Sequence, residues 1–399
     1  MSDSADTRPR IRLLPRADKR LRSGHPWAFA NELRMDAPAR ALDPGTLVTL
    51  ESAEGQALGV AMFNYRSLIA ARLLDAKADR RIDAAFLAER LARAAALREQ
   101  FVGGTHWRWV HAEADGLPGL VIDRYGEVVV LQANAAGMER LLEPLLEAVE
   151  RVVGPRCVVL RNDSSVRFLE GLGGYVRVAK GELAPPVAVE ENGLVYWADP
   201  SEGQKTGWFF DQRANRAFVA AAAKGARVLD LYCHTGGFAV AAAAAGARQV
   251  LAVDRSAPAI ALAGQAASRN KVAQKIRFET ADVFDRLAEI VASKERFEVV
   301  VVDPPAFVKA KKDHAAGLRG YRKLLRLAAA AVRPGGLLFA ASCSQPVTVE
   351  EFVEQCRLGL ADAGRGGRIL RISGADVDHP VHPALPQSTY LKAVALALD

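Results

Sequence analysis

No apolar run in this 399-residue chain is long enough to cross a bilayer. Its most hydrophobic stretches, such as FAVAAAAA at 238–245, are alanine-rich and fall far short of the roughly 20 residues a spanning helix needs. That excludes a helical membrane anchor. The opening MSDSAD has neither the basic nor the apolar segment of a secretory signal, so the cytoplasm is the expected location. Cysteine is scarce as well: Cys157, Cys233, Cys343 and Cys356 are all there are, and no two form a C-x-x-C pair. That count and spacing argue against a disulfide framework and against a structural zinc site. His379 and His382 have H-x-x-H spacing without acids or cysteines at zinc-site distances, so no metal is expected.

What is present points to a folded protein of more than one core. Half the residues are hydrophobic (50%) and a quarter are charged (25%), and only residues 1–10 read as disordered. Domains usually run to about 100–200 residues, so two or more fit. The net charge of +7 and a pI near 9.3 suit a polyanionic partner, although basic proteins without one are common. Position says more than the total. Arg8, Arg10, Arg12, Arg16, Lys19, Arg20 and Arg22 crowd the amino terminus against Asp3, Asp6 and Asp18. Charge alone leaves two readings open there, a solvated face and a nucleic-acid contact.

Three rhythms follow one another. Up to Leu74, short apolar alternations at 47–50, 58–63 and 68–74 read as a small β-rich domain over 9–76, and the charged stretch 75–83 as a linker. Residues 84–101 and 138–153 carry helical periodicity, while 120–123, 128–132, 157–160 and 175–178 read as strands, giving a central α+β domain over 83–186. Over 190–399 strand and helix alternate: strands at 228–231, 250–253, 276–279, 299–302, 337–340 and 391–398, with helices from Phe238, Pro258, Tyr321 and Val349. Strands without polar alternation, separated by helices, imply a parallel sheet covered on both faces, with its ligand at the carboxyl ends of the strands.

The chemistry collects at those ends. The first strand runs through Asp230 into LYCHTGGF at 231–238, where Gly236 and Gly237 let a ligand approach the backbone at a helix start. The second strand ends at Asp254, eighteen residues past Gly236, placed to accept hydrogen bonds from two ribose hydroxyls. The loop lacks the G-x-G-x-x-G of a dinucleotide site. With Asp230 before it, the arrangement resembles the first motif of class I methyltransferases, so the expected cofactor is S-adenosylmethionine; an ordinary tight turn is the alternative. Asp282 lies where an adenine would fall, or is a surface turn acid. DPPAF at 303–307 fixes Asp303 and nearby carbonyls with two prolines.

SCS at 342–344 puts the thiol of Cys343 at the end of the fifth strand, facing the same cleft as Asp303. Methylation of carbon 5 of a pyrimidine needs such a thiol, because that carbon becomes nucleophilic only after a thiolate adds to carbon 6. The alternative is a small buried hydrophobe. Flanking serines, an improbable core setting, favour the nucleophile. Cys356 lies on the apolar stripe of a helix with a Thr348-x-x-Glu351 capping box and reads as core. Cys157 starts an apolar strand, and Cys233 sits in the glycine loop, where its backbone can meet the ligand while its thiol is idle.

Taken together, QKTGWFFDQR at 204–213, LYCHTGGF, DPPAF, SCS, DHP at 378–380 and YLK at 390–392 resemble one family. It is the bacterial large-subunit ribosomal RNA cytosine-5 methyltransferases that carry an N-terminal PUA domain. RLRSGHPW at 20–27 is similar to that domain's opening, and DGLPG at 115–119 and RNDS at 161–164 to the central module. The resemblance spans nearly the whole chain. It implies a Rossmann-like α/β class I methyltransferase domain preceded by a β-rich PUA-like domain and a central α+β domain. By it, the PUA-like domain helps to grip RNA. Gln204, Asp211 and Arg213 contact S-adenosylmethionine with Asp230, Tyr232, Cys233, Gly236, Asp254, Arg255, Asp282 and Asp303. Cys343 is the nucleophile and Asp303 supports protonation of the cytosine at N3. The implied partner is large-subunit ribosomal RNA, with a homodimer compatible. One departure stands: many RNA cytosine-5 methyltransferases carry a second cysteine in the fourth motif, and DPPAF has none. Transfer to a guanine or another RNA base without an adduct, or RNA binding without catalysis, are the rival expectations.

Overall fold

The computed structural model describes residues 8–203 and 206–399, so Gln204 lies outside the described residues. Contacts divide the chain into two compact units. One holds residues 8–185, 199–203, 206–207 and 377–386; the other holds Pro186–Ala198, Trp208–Asp376 and Gln387–Asp399. No helix among the described residues is long and apolar enough to cross a membrane.

The first unit contains two five-stranded sheets. In the amino-terminal one, Arg10–Arg12, Thr46–Glu51, Ala57–Phe63, Ala71–Asp75 and Trp27–Ala28 lie side by side over a core that includes Val48, Leu50, Ala61 and Phe63. The third strand expected at 68–74 starts only at Ala71. The preceding residues form a turn closed by the Asn64 amide on the Ala70 carbonyl (2.8 Å), which leaves Leu68 exposed. Asp83 ends the charged stretch by accepting the Phe86 amide at 3.0 Å, which caps the helix Ala84–Phe101.

The second sheet runs Tyr175–Lys180, Cys157–Asn162, Val128–Ala133, Leu120–Tyr125, His106–His111. Its last strand, HWRWVH, has no clear period in the sequence, because Trp107 and Trp109 are buried in alternation with His106 and Arg108 until a bulge buries Val110 as well. The helix expected over 138–153 is two, Ala136–Arg140 and Leu142–Val153. Pro144 explains the break: it has no N–H for the Arg140 carbonyl, and its ring would clash there.

A buried ion pair anchors this unit. The Arg98 guanidinium, fully enclosed, donates to both oxygens of Asp115 (2.5 and 2.8 Å) and to the carbonyls of Arg108 and Asp378 (both 2.9 Å). Asp378 in turn accepts the Arg108 amide at 3.0 Å, so the DHP segment is a packing element of this unit. Breaking a buried pair strands the remaining charge, which costs about 3–5 kcal/mol. Asp115→Ala should therefore lower stability by that order in urea unfolding followed by tryptophan fluorescence, since Trp107 and Trp109 report on this sheet. A loss below about 1 kcal/mol would show that water reaches Arg98.

The second unit is built on a seven-stranded sheet. Its strands in chain order are β1 (Arg227–Leu231), β2 (Gln249–Asp254), β3 (Ile276–Thr280), β4 (Phe297–Val302), β5 (Val332–Ser342), β6 (Gly367–Ser373) and β7 (Lys392–Leu398). In space they run β3-β2-β1-β4-β5-β7-β6; the first five are parallel, and β7 pairs antiparallel with both β5 and β6. Valine and leucine fill β1, β2 and β4 because helices cover the sheet. The strand order reverses at β1, and that is where an open α/β sheet leaves a crevice. β6 was not anticipated, since it is an edge strand whose Ile369, Leu370 and Ile372 are all exposed and obey no alternation. The helix His314–Ala331 begins seven residues before the expected Tyr321. Its first turns carry few large apolar residues, and Gly317 is there because a Cβ would lie 2.9 Å from the Phe307 carbonyl oxygen.

Candidate active site at the carboxyl ends of the sheet

The ends of β1, β2, β4 and β5 gather most of the expected residues of this unit. After β1 the chain turns sharply, with Tyr232 and His234 at positive φ (64° and 49°) and Gly236 at 81°. Gly236 opens the helix Gly237–Ala244, and a Cβ on it would press on Ala263 at 2.9 Å.

Asp230 lies on β1 itself, 1% exposed, and neither carboxylate oxygen has a hydrogen-bond partner. Burial pushes its carboxyl up to about 8; the Ala239 amide offsets part of this, and Asp303 and Asp254 add to it. Asp254 is held rigid, one oxygen accepting the His234 amide (2.9 Å) and the other the Ser256 amide (2.8 Å). Asp303 accepts from the Gln212 side chain at 2.9 Å. Gln212 is itself fixed by Asn215 (2.7 Å), and Asn215 by Ser373 on β6 (2.8 Å). Gln212 stands inside the 204–213 string, but nothing in the sequence distinguished it from its neighbours.

The other expected contacts divide. One oxygen of Asp211 accepts the Tyr390 hydroxyl at 2.5 Å, while the other is buried without a partner. Arg213 sits between Asp376 (3.4 Å) and Glu191 (3.7 Å). Asp282 caps the helix Val283–Ala292 with one oxygen, through the Phe284 and Asp285 amides (2.8 and 3.2 Å). Tyr232 is half-buried; burial and then the charges of Asp282 and Asp254 push its hydroxyl up, so it remains a neutral donor. Arg255 is exposed. The Cys233 thiol is buried, and that burial, with Asp230 beside it, raises it well above the ordinary range, which disables it as a nucleophile.

None of the four cysteines is in a disulfide. Cys157, Cys233 and Cys356 are buried, and burial pushes Cys356 up to about 12. Cys343 is partly exposed, its sulfur 4.0 Å from the Pro304 carbonyl of the DPPAF segment. The serines beside it correct one argument made from the sequence. Ser342 and Ser344 are fully buried, so they are core residues after all. Both bind the Tyr321 hydroxyl (2.9 and 2.8 Å), and the Phe307 and Val308 amides donate to Tyr321 (3.4 Å) and Ser344 (3.0 Å). This hydroxyl cluster ties the segment after β4 to the end of β5 and sets Cys343 beside Pro304. Tyr321 read as the start of a helix; its polar role needed the fold to be seen.

A strand order of β3-β2-β1-β4-β5-β7-β6 with carboxylates ending β1, β2 and β4 defines an S-adenosylmethionine-dependent methyltransferase. Residues 176–362 match the S-adenosylmethionine-dependent methyltransferase family and residues 11–76 match the PUA-like domain. The chain belongs to the ribosomal RNA large subunit methyltransferase I family. It is 35% identical over 385 residues to the Tolumonas auensis member, covering 95% of this chain and 96% of that protein. With the Cronobacter sakazakii member it shares 35% over 393 residues, 97% and 98% of the two chains. In fold it is similar to a putative SAM-dependent methyltransferase from Streptococcus mutans (TM-score 0.82, 23% identity, 98% of this chain and 100% of that one). A putative methyltransferase complexed with SAH aligns equally well (TM-score 0.83, 23% identity, 98% and 100%).

The residues present suit that cofactor. S-adenosylmethionine is cationic at its sulfonium and amino groups, and the site offers unpartnered buried carboxylate oxygens on Asp230 and Asp211. Asp230 also has a consequence for the protein alone. Its carboxyl titrates near 8 when folded against about 3.8 when unfolded, so the folded chain binds the extra proton between those values and stability falls as pH rises through them. Asp230→Asn removes this contribution. The gain in melting temperature of the cofactor-free variant should be larger at pH 8 than at pH 5 by scanning calorimetry; equal gains would mean that Asp230 is ionised in the folded protein throughout.

Proposed function

We propose that this chain is a cytoplasmic enzyme that methylates carbon 5 of a cytosine in 23S ribosomal RNA through a covalent Cys343 adduct. The observation that carries this reading is the partly exposed thiol of Cys343, at the end of β5 beside the segment that holds Asp303. Its relatives' name supplies the RNA. We take the chain as three modules, 9–76, 83–186 and 190–399, the first of which grips RNA. Its surface supports that role in part. Arg8 is buried against the Ala78 and Arg80 carbonyls, while Arg10 and Arg12 share Glu51. Arg16 and Lys19 are exposed and able to meet phosphates, and Arg10, Arg12 and Arg34 line a groove of about 480 Å³ whose charge Glu51 and Asp36 partly offset.

S-adenosylmethionine, when bound, supplies an electrophilic methyl group. Asp230 and Asp211 would hold its cationic groups, Asp254 the ribose hydroxyls, and Gly236 with the backbone of Tyr232 and Cys233 would line its path. Asp282 and Arg255 border the same loops, and Gln204 and Arg213 complete the contacts that the family resemblance implies. The target base would be extruded from any stack to reach the strand ends. The Cys343 thiolate then adds to carbon 6 while Asp303, oriented by Gln212, supports protonation at N3. Carbon 5 becomes nucleophilic and would take the methyl group; a base, for which solvent water can serve, then takes the carbon-5 proton as the thiolate is expelled, and the N3 proton returns to Asp303, which restores the ring.

Cys343→Ala should abolish transfer to ribosomal RNA from cells lacking this protein, with S-adenosylmethionine affinity unchanged by calorimetry. Retained transfer would remove the covalent route and favour a guanine or another base. For the cofactor site, Asp230→Asn should weaken S-adenosylmethionine binding about 10- to 100-fold, the equivalent of a charged hydrogen bond of about 1.5–3 kcal/mol. Unaltered affinity would exclude Asp230 as a ligand.

A further inference from the structure

Lys392 opens β7, directly opposite Ser342 on β5, and is 2% exposed. Its ammonium donates to the carbonyls on either side of this pairing, Ser344 at 2.5 Å and Tyr390 at 2.8 Å. These two bonds use two of its three N–H groups. No carboxylate among the described residues comes within ion-pair distance of it. A buried ammonium satisfied by carbonyls alone is an expensive arrangement, because neutral acceptors return only part of the lost hydration. The two β5-side residues it is tied to, Ser342 by strand pairing and Ser344 by its carbonyl, flank Cys343, and the acidic groups that act on it are Cys343 first and Glu351 second. Glu351 is already engaged, one oxygen on the Thr348 amide (2.8 Å) and the other on His314 (3.2 Å). The residue flanked by Ser342 and Ser344 is what remains.

We infer that Lys392 is a positioning residue whose buried ammonium serves as the internal counter-ion of the Cys343 thiolate. The geometry suits this in two ways. The ammonium is anchored to the backbone of the residue following Cys343, so it cannot swing away from the thiol. The Tyr321 cluster fixes the same backbone from the other flank through Ser342 and Ser344. Burial drives Lys392 down to about 8, with Cys343 and Glu351 opposing that shift. Below neutrality the ammonium is intact and its field favours ionisation of the thiol; loss of the lysine proton at higher pH removes that help.

The inference deepens the reading of Cys343 as nucleophile and rests on it for its catalytic meaning. Its test does not. In the full chain, labelling of Cys343 by iodoacetamide is followed against pH with peptide mapping by mass spectrometry. The wild-type thiol should titrate below the ordinary value of about 8.5. Lys392→Met should raise its pKa by at least about one unit, which slows labelling at pH 7 by up to about tenfold, whereas Lys392→Arg, which keeps the charge, should leave the profile close to wild type. Circular dichroism and S-adenosylmethionine binding check that the variants are folded. A wild-type thiol titrating at or above 8.5, or a folded Lys392→Met with an unchanged profile, overturns the inference. Should Lys392→Met fail to fold, the wild-type titration decides. A lowered thiol pKa together with an active Cys343→Ala would remove the covalent route and leave the counter-ion intact, so the two failures are distinct.

Discussion

Parallel strands that end together bring whatever they carry at their last residues into one small space, and here β1, β2 and β4 carry Asp230, Asp254 and Asp303. Like charges in a poorly solvated crevice cannot all ionise at ordinary cost. The protein treats the three differently. Asp254 is stabilised by two backbone amides and Asp303 by Gln212, so both are oriented acceptors. Asp230 has only the weak help of the Ala239 amide and no side-chain partner, and it is the one whose carboxyl is pushed up to about 8. An acidic crevice with one unsatisfied member is a preorganised receptor for a cation, since a bound positive charge favours the ionised carboxylate that burial and the neighbouring acids disfavour. That constraint makes a sulfonium cofactor a physical match for this sheet.

The neighbouring half of the crevice is built from hydroxyls. Tyr321 reaches from its helix to hold Ser342, Ser344 and the Phe307 amide, which ties the segment after β4 to the end of β5. Cys343 gains its position from that lock: its neighbours on both sides point inward and are satisfied, and its own side chain keeps partial exposure. The same lock governs how accurately the thiol and Asp303 are spaced, and spacing errors near an ångström are costly to a reaction between positioned groups.

The parts of the candidate site that sit where strands end were legible in the sequence. Asp230, Asp254, Asp303 and Cys343 each follow an apolar run by a fixed rule of α/β sheets, and Gly236 marks a turn that needs a positive φ. Residues that act from a distance carried no such mark. Gln212 reaches Asp303 across 91 positions of chain and Tyr390 reaches Asp211 across 179, contacts that only the folded topology creates. Ser342 and Ser344 misled in the other direction, because hydroxyls next to a cysteine read as solvent-facing until a buried tyrosine partner appears. β6 and the strand at His106–His111 show no sustained alternation, one because it is an exposed edge, the other because a bulge buries Trp109 and Val110 in succession.

The absence of a second cysteine from DPPAF bears on how the adduct would be released. On the covalent route the thiolate is the nucleophile on the way in and the leaving group on the way out. Lowering a thiol's pKa raises the fraction present as thiolate and speeds its departure, while reducing its intrinsic reactivity only moderately. A buried ammonium beside Cys343 therefore acts on both ends of the reaction, and most on the step for which a second cysteine is used elsewhere. Lys392 supplies that charge from β7, an antiparallel strand laid against β5 after the parallel part of the sheet is complete. The strand that closes the fold is thus also the one that brings a cation to the thiol, and its register against Ser342 is as much a feature of the site as the cysteine itself.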